Sequence, residues 1–161
     1  MVSDSVVATV AAGAVAASFP FYLYGAWIIL SREQDNVTWD LLTHHLSYIL
    51  PGLVLTTVPV ATWMAPRLFD QLNGLSALHA FLGLQAYALL AFGLTGIVRI
   101  FQVKREADLY EGADGEVDLN DLHENMGAWR GRLRVGVFGY TLFWLLAFLV
   151  GVYRYYLRYV A

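Results

Sequence analysis

Four long uncharged apolar runs constrain this chain more than any other feature: Ser5 to Ser31, Leu41 to Pro66, Gln71 to Val98 and Val135 to Tyr153. A helix needs about 20 mostly apolar residues to cross the hydrocarbon core of a bilayer. Only a backbone that satisfies its own hydrogen bonds survives there. The runs meet both conditions as helices. The charges crowd into the connecting segments, so the 161 residues carry only 14% charged side chains and a mean hydropathy of +0.54. An ordinary soluble domain has about 25% charged residues. The expected fold is all-α, an integral membrane four-helix bundle forming one domain over 1–161. Its spans are expected at about 5–31, 41–66, 71–98 and 133–155, with a long acidic loop over 102–132 between helices three and four.

The same composition narrows the chemistry. The sequence has no cysteine, which excludes thiol catalysis, thiolate-bound metals and disulfides. A net charge of −3, with no basic tract, gives no footprint for nucleic acid. No span carries an acidic residue, whereas proton and ion pathways through a membrane usually need such groups. A Ser/His/Asp arrangement and an HExxH-type metal motif are both missing, so the sequence favours a non-enzymatic role.

Orientation follows from the distribution of Arg and Lys. Arg32, Arg99, Lys104, Arg105, Arg130, Arg132 and Arg134 fall on one side of the four spans, and Arg67, Arg154 and Arg158 on the other. Cytoplasmic loops carry the Lys/Arg excess. The long loop is therefore expected in the cytoplasm and both termini outside, in a multi-pass protein of the cell membrane. The first run lacks a positive n-region, carries Asp4 instead, and exceeds the roughly 7–15 residues of a signal-peptide core. It reads as a retained span.

Local signals refine the spans. Trp27, Trp39, Trp63, Trp129, Tyr153, Tyr155, Tyr156 and Tyr159 sit near span ends, where Trp and Tyr anchor at headgroup depth. Ala8, Ala12 and Ala16 form a small-residue stripe suited to close helix approach. Pro20 is expected to kink helix one, and Pro51 and Pro59 to bend helix two. The stretch Ala113 to Asp121 has the form of the back half of an EF-hand calcium loop. Its first and third ligand positions fall on Tyr110 and Gly112, too few oxygens for calcium. A turn at Gly112–Gly115, followed by a helix start with Asp118 as cap and Asp121 in the first turn, fits the residues better.

Four histidines, His44, His45, His79 and His123, are the candidates for a cofactor site. Ionisable groups in or near spans are costly and often functional. His45 shares a helical face with Gly52, Thr56 and Pro59; His79 is followed by Gly83, Ala86 and Gly93; His123 is followed by Gly127 and Gly131. Small residues beside a histidine leave room for a flat macrocycle, and they equally serve helix packing. His45 and His123 share the cytoplasmic side and are the candidate axial pair for haem iron. His79 lies on the other side, where Met64 offers a thioether. His123 precedes Val135 by 12 residues, with Arg130, Arg132 and Arg134 between, which puts it near or beyond the membrane surface.

Leu78-His79-Ala80-Phe81-Leu82-Gly83 and Leu122-His123-Glu124-Asn125-Met126-Gly127, with the closing Gly151-Val152-Tyr153-Arg154-Tyr155, resemble b-type membrane cytochromes. The similar proteins are the di-haem transmembrane cytochromes and a family of membrane proteins associated with cytochrome oxidase assembly. The resemblance covers helices two to four, about two-thirds of the chain. It implies haem b, electron transfer, a quinone or a larger respiratory complex as partner, and Arg99 and Arg134 near the haem propionates. The pattern departs from the di-haem families: three histidines fall on one side and one on the other, and Glu124 follows His123 where basic residues are common. Two functions remain open. One is a haem-binding electron-transfer subunit using His45, His123 and His79. The other is a cofactor-free accessory or assembly subunit of a membrane complex, with the acidic loop engaging a soluble partner.

Overall fold

The computed structural model describes residues 3–31, 39–67, 74–106 and 123–161. Four long helices form from the four apolar runs: α1 Asp4–Leu30, α2 Trp39–Pro59, α3 Gly74–Glu106 and α4 Met126–Tyr159. All four are long and apolar enough to cross a membrane. Large apolar side chains face outward, among them Leu23 at 69%, Trp27 at 65%, Phe138 at 76% and Leu149 at 62% exposure. Water would penalise that surface and lipid does not. The chain is an all-helical protein suited to a bilayer.

The helices fall into two compact units, residues 1–73 with 152–161, and residues 74–151. In the first, α1 and α2 pack antiparallel: Gly25 lies opposite Ile49 and Tyr48, and Gly52 opposite Phe21 and Tyr22. A methyl at Gly25 would fall 2.6 Å from Ile49 Cδ1, and one at Gly52 would fall 3.2 Å from Phe21 Cβ. These glycines let the helices approach, which is how lipid-embedded helices gain contact energy when water supplies no drive. The alanine stripe is not one seam: Ala8 is buried, Ala12 half-buried and Ala16 exposed. Across the pair, the Tyr22 hydroxyl meets Thr56 Oγ1 at 3.0 Å, and Thr56 Oγ1 reaches Gly52 O at 3.2 Å and Leu53 O at 3.0 Å. The single Thr56 proton goes to a carbonyl, so the Tyr22 O–H donates to Thr56. In the same unit Thr9 Oγ1 and Tyr155 Oη lie 2.8 Å apart.

The second unit is an antiparallel pair of α3 and α4. Gly93 faces Gly136, Gly96 faces Trp129 and Leu133, and Leu89 faces Gly139. The buried positions are Leu82, Ala86, Gly93 and Gly96 on α3, and Met126, Gly136, Tyr140 and Ala147 on α4. Small residues again mark the line where the backbones meet.

The prolines lie within continuous helix. Helix α1 continues through Pro20. Helix α2 continues through Pro51 and then, after Pro59, becomes a π-helical turn, Val60–Met64, and a 3-10 turn, Ala65–Arg67. Proline removes a donor from the ladder, and beyond Pro59 the turn widens, with the Ala65 N–H donating to Val60 O. The Thr62 hydroxyl satisfies Val58 O at 2.7 Å. Helix α3 also runs to Glu106 and α4 starts at Met126, so helix takes in residues 102–106 and 126–132, the two ends of the segment expected as loop. Charge ends a membrane span, but it does not end a helix that continues into water. The EF-hand-like stretch and the caps Asp118 and Asp121 lie outside the described residues.

Candidate functional site

His45 stands on the α2 face that the sequence marks with Gly52 and Thr56, and that face packs against α1. Its Nδ1 lies 2.8 Å from the Gly25 carbonyl oxygen. A carbonyl only accepts, so Nδ1 carries the proton and the neutral ring keeps its lone pair on Nε2. Phe21 and Tyr22 fill the space beside Gly52 that a macrocycle would need. His44, its exposed neighbour, turns its ring toward Tyr48 at 5.7 Å.

His79 lies in the second unit, near the start of α3. Its ring rests against Gly151 of α4, where an added methyl would fall 3.0 Å from both Cε1 and Nε2. The absent side chain at Gly151 makes the seat for the imidazole. Gly83, one turn on, has open space beside it, whereas Gly93 is closed by Gly136. Deeper along the pair, Tyr87 and Tyr140 meet edge to face at 6.5 Å.

His123 belongs to the start of α4. Its Nδ1 accepts the Asn125 N–H at 3.0 Å, and its carbonyl accepts the Met126 N–H at 3.0 Å. The ring packs on Trp129 at 4.5 Å. First-turn N–H groups have no helical partner, and this side chain supplies one. The price is chemical: with Nδ1 accepting, the proton of the neutral ring sits on Nε2, and neither nitrogen offers a lone pair to iron. Gly127 and Gly131 have nothing near them.

The three histidines therefore hold different kinds of contact, and His45 falls in the first unit while His79 and His123 fall in the second. Met64 ends the π-helical turn. Arg99 donates to Gln102 Oε1 at 3.2 Å, and Arg134 is exposed. Among the described residues no three His, Asp or Glu side chains come together to hold a metal. Sequence reasoning missed the Tyr22–Thr56 link, although a polar pair inside two apolar spans was its visible signal. It also took Trp63 as a simple interface anchor, whereas the indole nitrogen is buried.

No curated protein and no solved structure matches the chain. A family model described as a domain of unknown function, DUF7321, matches residues 4–160, which takes in all four helices. The chain belongs to the DUF7321 family.

Proposed function

We propose that this protein is a cofactor-free accessory or assembly subunit, working through its membrane helices inside a larger membrane complex. The observation that supports this most is the use made of the candidate ligands: the ring of His123 caps α4, that of His79 seats on Gly151, and that of His45 joins α2 to α1. His45 and His79 serve the packing of their helical pairs, and His123 serves the start of its own helix. In the accessory reading the segment from Glu106 to Glu124 engages a soluble partner. It carries Glu106, Asp108, Glu111, Asp114, Glu116, Asp118, Asp121 and Glu124 with no Lys or Arg, and a partner with a basic face would suit it.

Haem binding is kept as a second reading by one specific observation. A ligating histidine commonly fixes its other ring N–H on a carbonyl or carboxylate, and His45 does so on Gly25. His45 would be the axial ligand, and the haem would supply one-electron chemistry toward a quinone or a respiratory complex. One preparation separates the readings. Protein purified in mild detergent from cells supplied with haem is examined by absorption before and after dithionite, and its co-purifying membrane subunits are identified. The accessory reading expects a featureless visible spectrum in folded protein, together with co-purifying membrane subunits. A Soret band that disappears in His45→Ala overturns it in favour of haem.

A further inference from the structure

The α3–α4 unit carries its charge at one end only. No Asp, Glu, Lys or Arg lies between Gly74 and Val98 on α3, or between Val135 and Gly151 on α4. Arg99, Lys104 and Arg105 close α3, and Arg130, Arg132 and Arg134 open α4. Antiparallel packing brings the two groups to the same end of the pair, where Gly96 lies against Trp129, Leu133 and the Cβ of Arg132. Arg99, Arg105, Arg132 and Arg134 are exposed, and Lys104 is half-buried. Arg99 donates to the neutral Gln102, and Glu124 accepts from Asn125. Among the described residues no ion pair holds Lys104, Arg105, Arg132 or Arg134. Like charges gathered on one accessible surface repel, and an anionic partner relieves that.

Depth identifies the partner. Arg99 is the first charge after the uncharged run 71–98, and Arg134 the last before the run 135–153, so both stand where a span leaves the hydrocarbon. Lys104, Arg105 and Arg130 follow within about 9 Å along their helices, inside the Debye length of about 10 Å at 0.1 M salt. On the hydrocarbon side Val98, Val135 and Phe138, at 50%, 58% and 76% exposure, present apolar surface. The surface is thus cationic at headgroup depth and apolar below, which complements an anionic phospholipid at both ends. Clusters of about four to eight Lys/Arg beside a span attract such lipids. A second copy of this chain would bring the same cations and be repelled. We propose that the basic end of the α3–α4 pair is a docking surface for anionic phospholipid. The guanidinium forks of Arg99, Arg132 and Arg134 pair with phosphate oxygens, Lys104 and Arg105 add longer-range attraction, and acyl chains lie on Val135 and Phe138.

The full chain, delipidated in detergent, is titrated with phosphatidylglycerol or phosphatidylcholine, and bound lipid is counted by native mass spectrometry. Phosphatidylglycerol is expected to bind in preference to phosphatidylcholine. The double variants R132Q/R134Q and K104Q/R105Q should weaken the tightest-bound phosphatidylglycerol by about fivefold for each cation removed. R132K/R134K keeps the charge and the fold-level role of the long side chains, and should keep the preference. R67Q/R154Q/R158Q, which removes the cations of the opposite side, should leave the tightest binding unchanged. Equal binding of phosphatidylcholine overturns the surface. Parent-like phosphatidylglycerol affinity in both Gln variants overturns it as well, and is the result expected where the chain's own acidic segment neutralises these cations. An equal loss in R67Q/R154Q/R158Q reduces the effect to net charge and overturns the site, and a loss in R132K/R134K overturns its electrostatic basis.

Discussion

At the scale of single residues, two kinds of glycine occupy these helices, and composition does not distinguish them. Gly136 is a contact: an added methyl would lie 2.6 Å from Gly93 N and 2.7 Å from Leu89 O, all backbone atoms that cannot turn aside. Gly83 has nothing within 4 Å. Gly136→Ala is expected to destabilise the α3–α4 pair by about 1–3 kcal/mol, the usual cost of overpacking. Gly83→Ala should be neutral or slightly stabilising, because alanine is the better helix former by about 1 kcal/mol. Thermal unfolding in detergent measures both, and equal effects would mean that the close approach is not what holds the pair. The sequence showed Gly83 and Gly93 together as small residues after His79. Which of them meets a neighbouring backbone depends on the rotation of α3, and that is a tertiary quantity.

At the scale of elements, the lengths of α3 and α4 carry a consequence of their own. With 33 and 34 residues, each is about 50 Å long at 1.5 Å per residue, against a hydrocarbon core of about 30 Å. Tilt absorbs part of the excess, and the charged turns take the rest into the headgroups and water. Lys104 and Arg105 lie in the last turn of α3, where cations favour the negative end of the helix dipole. Spin labels along α3 should therefore report lipid at Phe92, Leu94 and Val98, and water at Gln102, Arg105 and Glu106. Oxygen and a water-soluble nickel chelate are the two relaxing agents. Lipid-like accessibility at Arg105 would contradict this. Hydropathy reads the lipid part of such a helix and stops at Arg99, so the last two turns were not legible as helix. The π-turn was half legible: Pro59 announced a disturbed ladder, and the form that follows, a wider turn with Thr62 on Val58 O, depends on local geometry.

At the scale of the whole molecule, topology is the property most open to direct measurement. From the Lys/Arg asymmetry the segment between α3 and α4 is expected in the cytoplasm and both termini outside. The sequence contains no cysteine, so single substitutions give clean labels. Ser3→Cys is expected to react with an impermeant maleimide on intact cells, and Ala113→Cys only after the cells are opened. The reverse pattern would invert the orientation. By itself the sequence determined the helical class and the number of helices long and apolar enough to cross a membrane. Those follow from the length and apolarity of contiguous runs, which are one-dimensional quantities. Only the tertiary structure decided where each polar group finds its partner: His45 on the Gly25 carbonyl, His79 against Gly151, His123 as a cap and Trp63 without an acceptor. Helices that are apolar all round leave rotation and register unspecified by pattern, and these contacts are set by rotation and register.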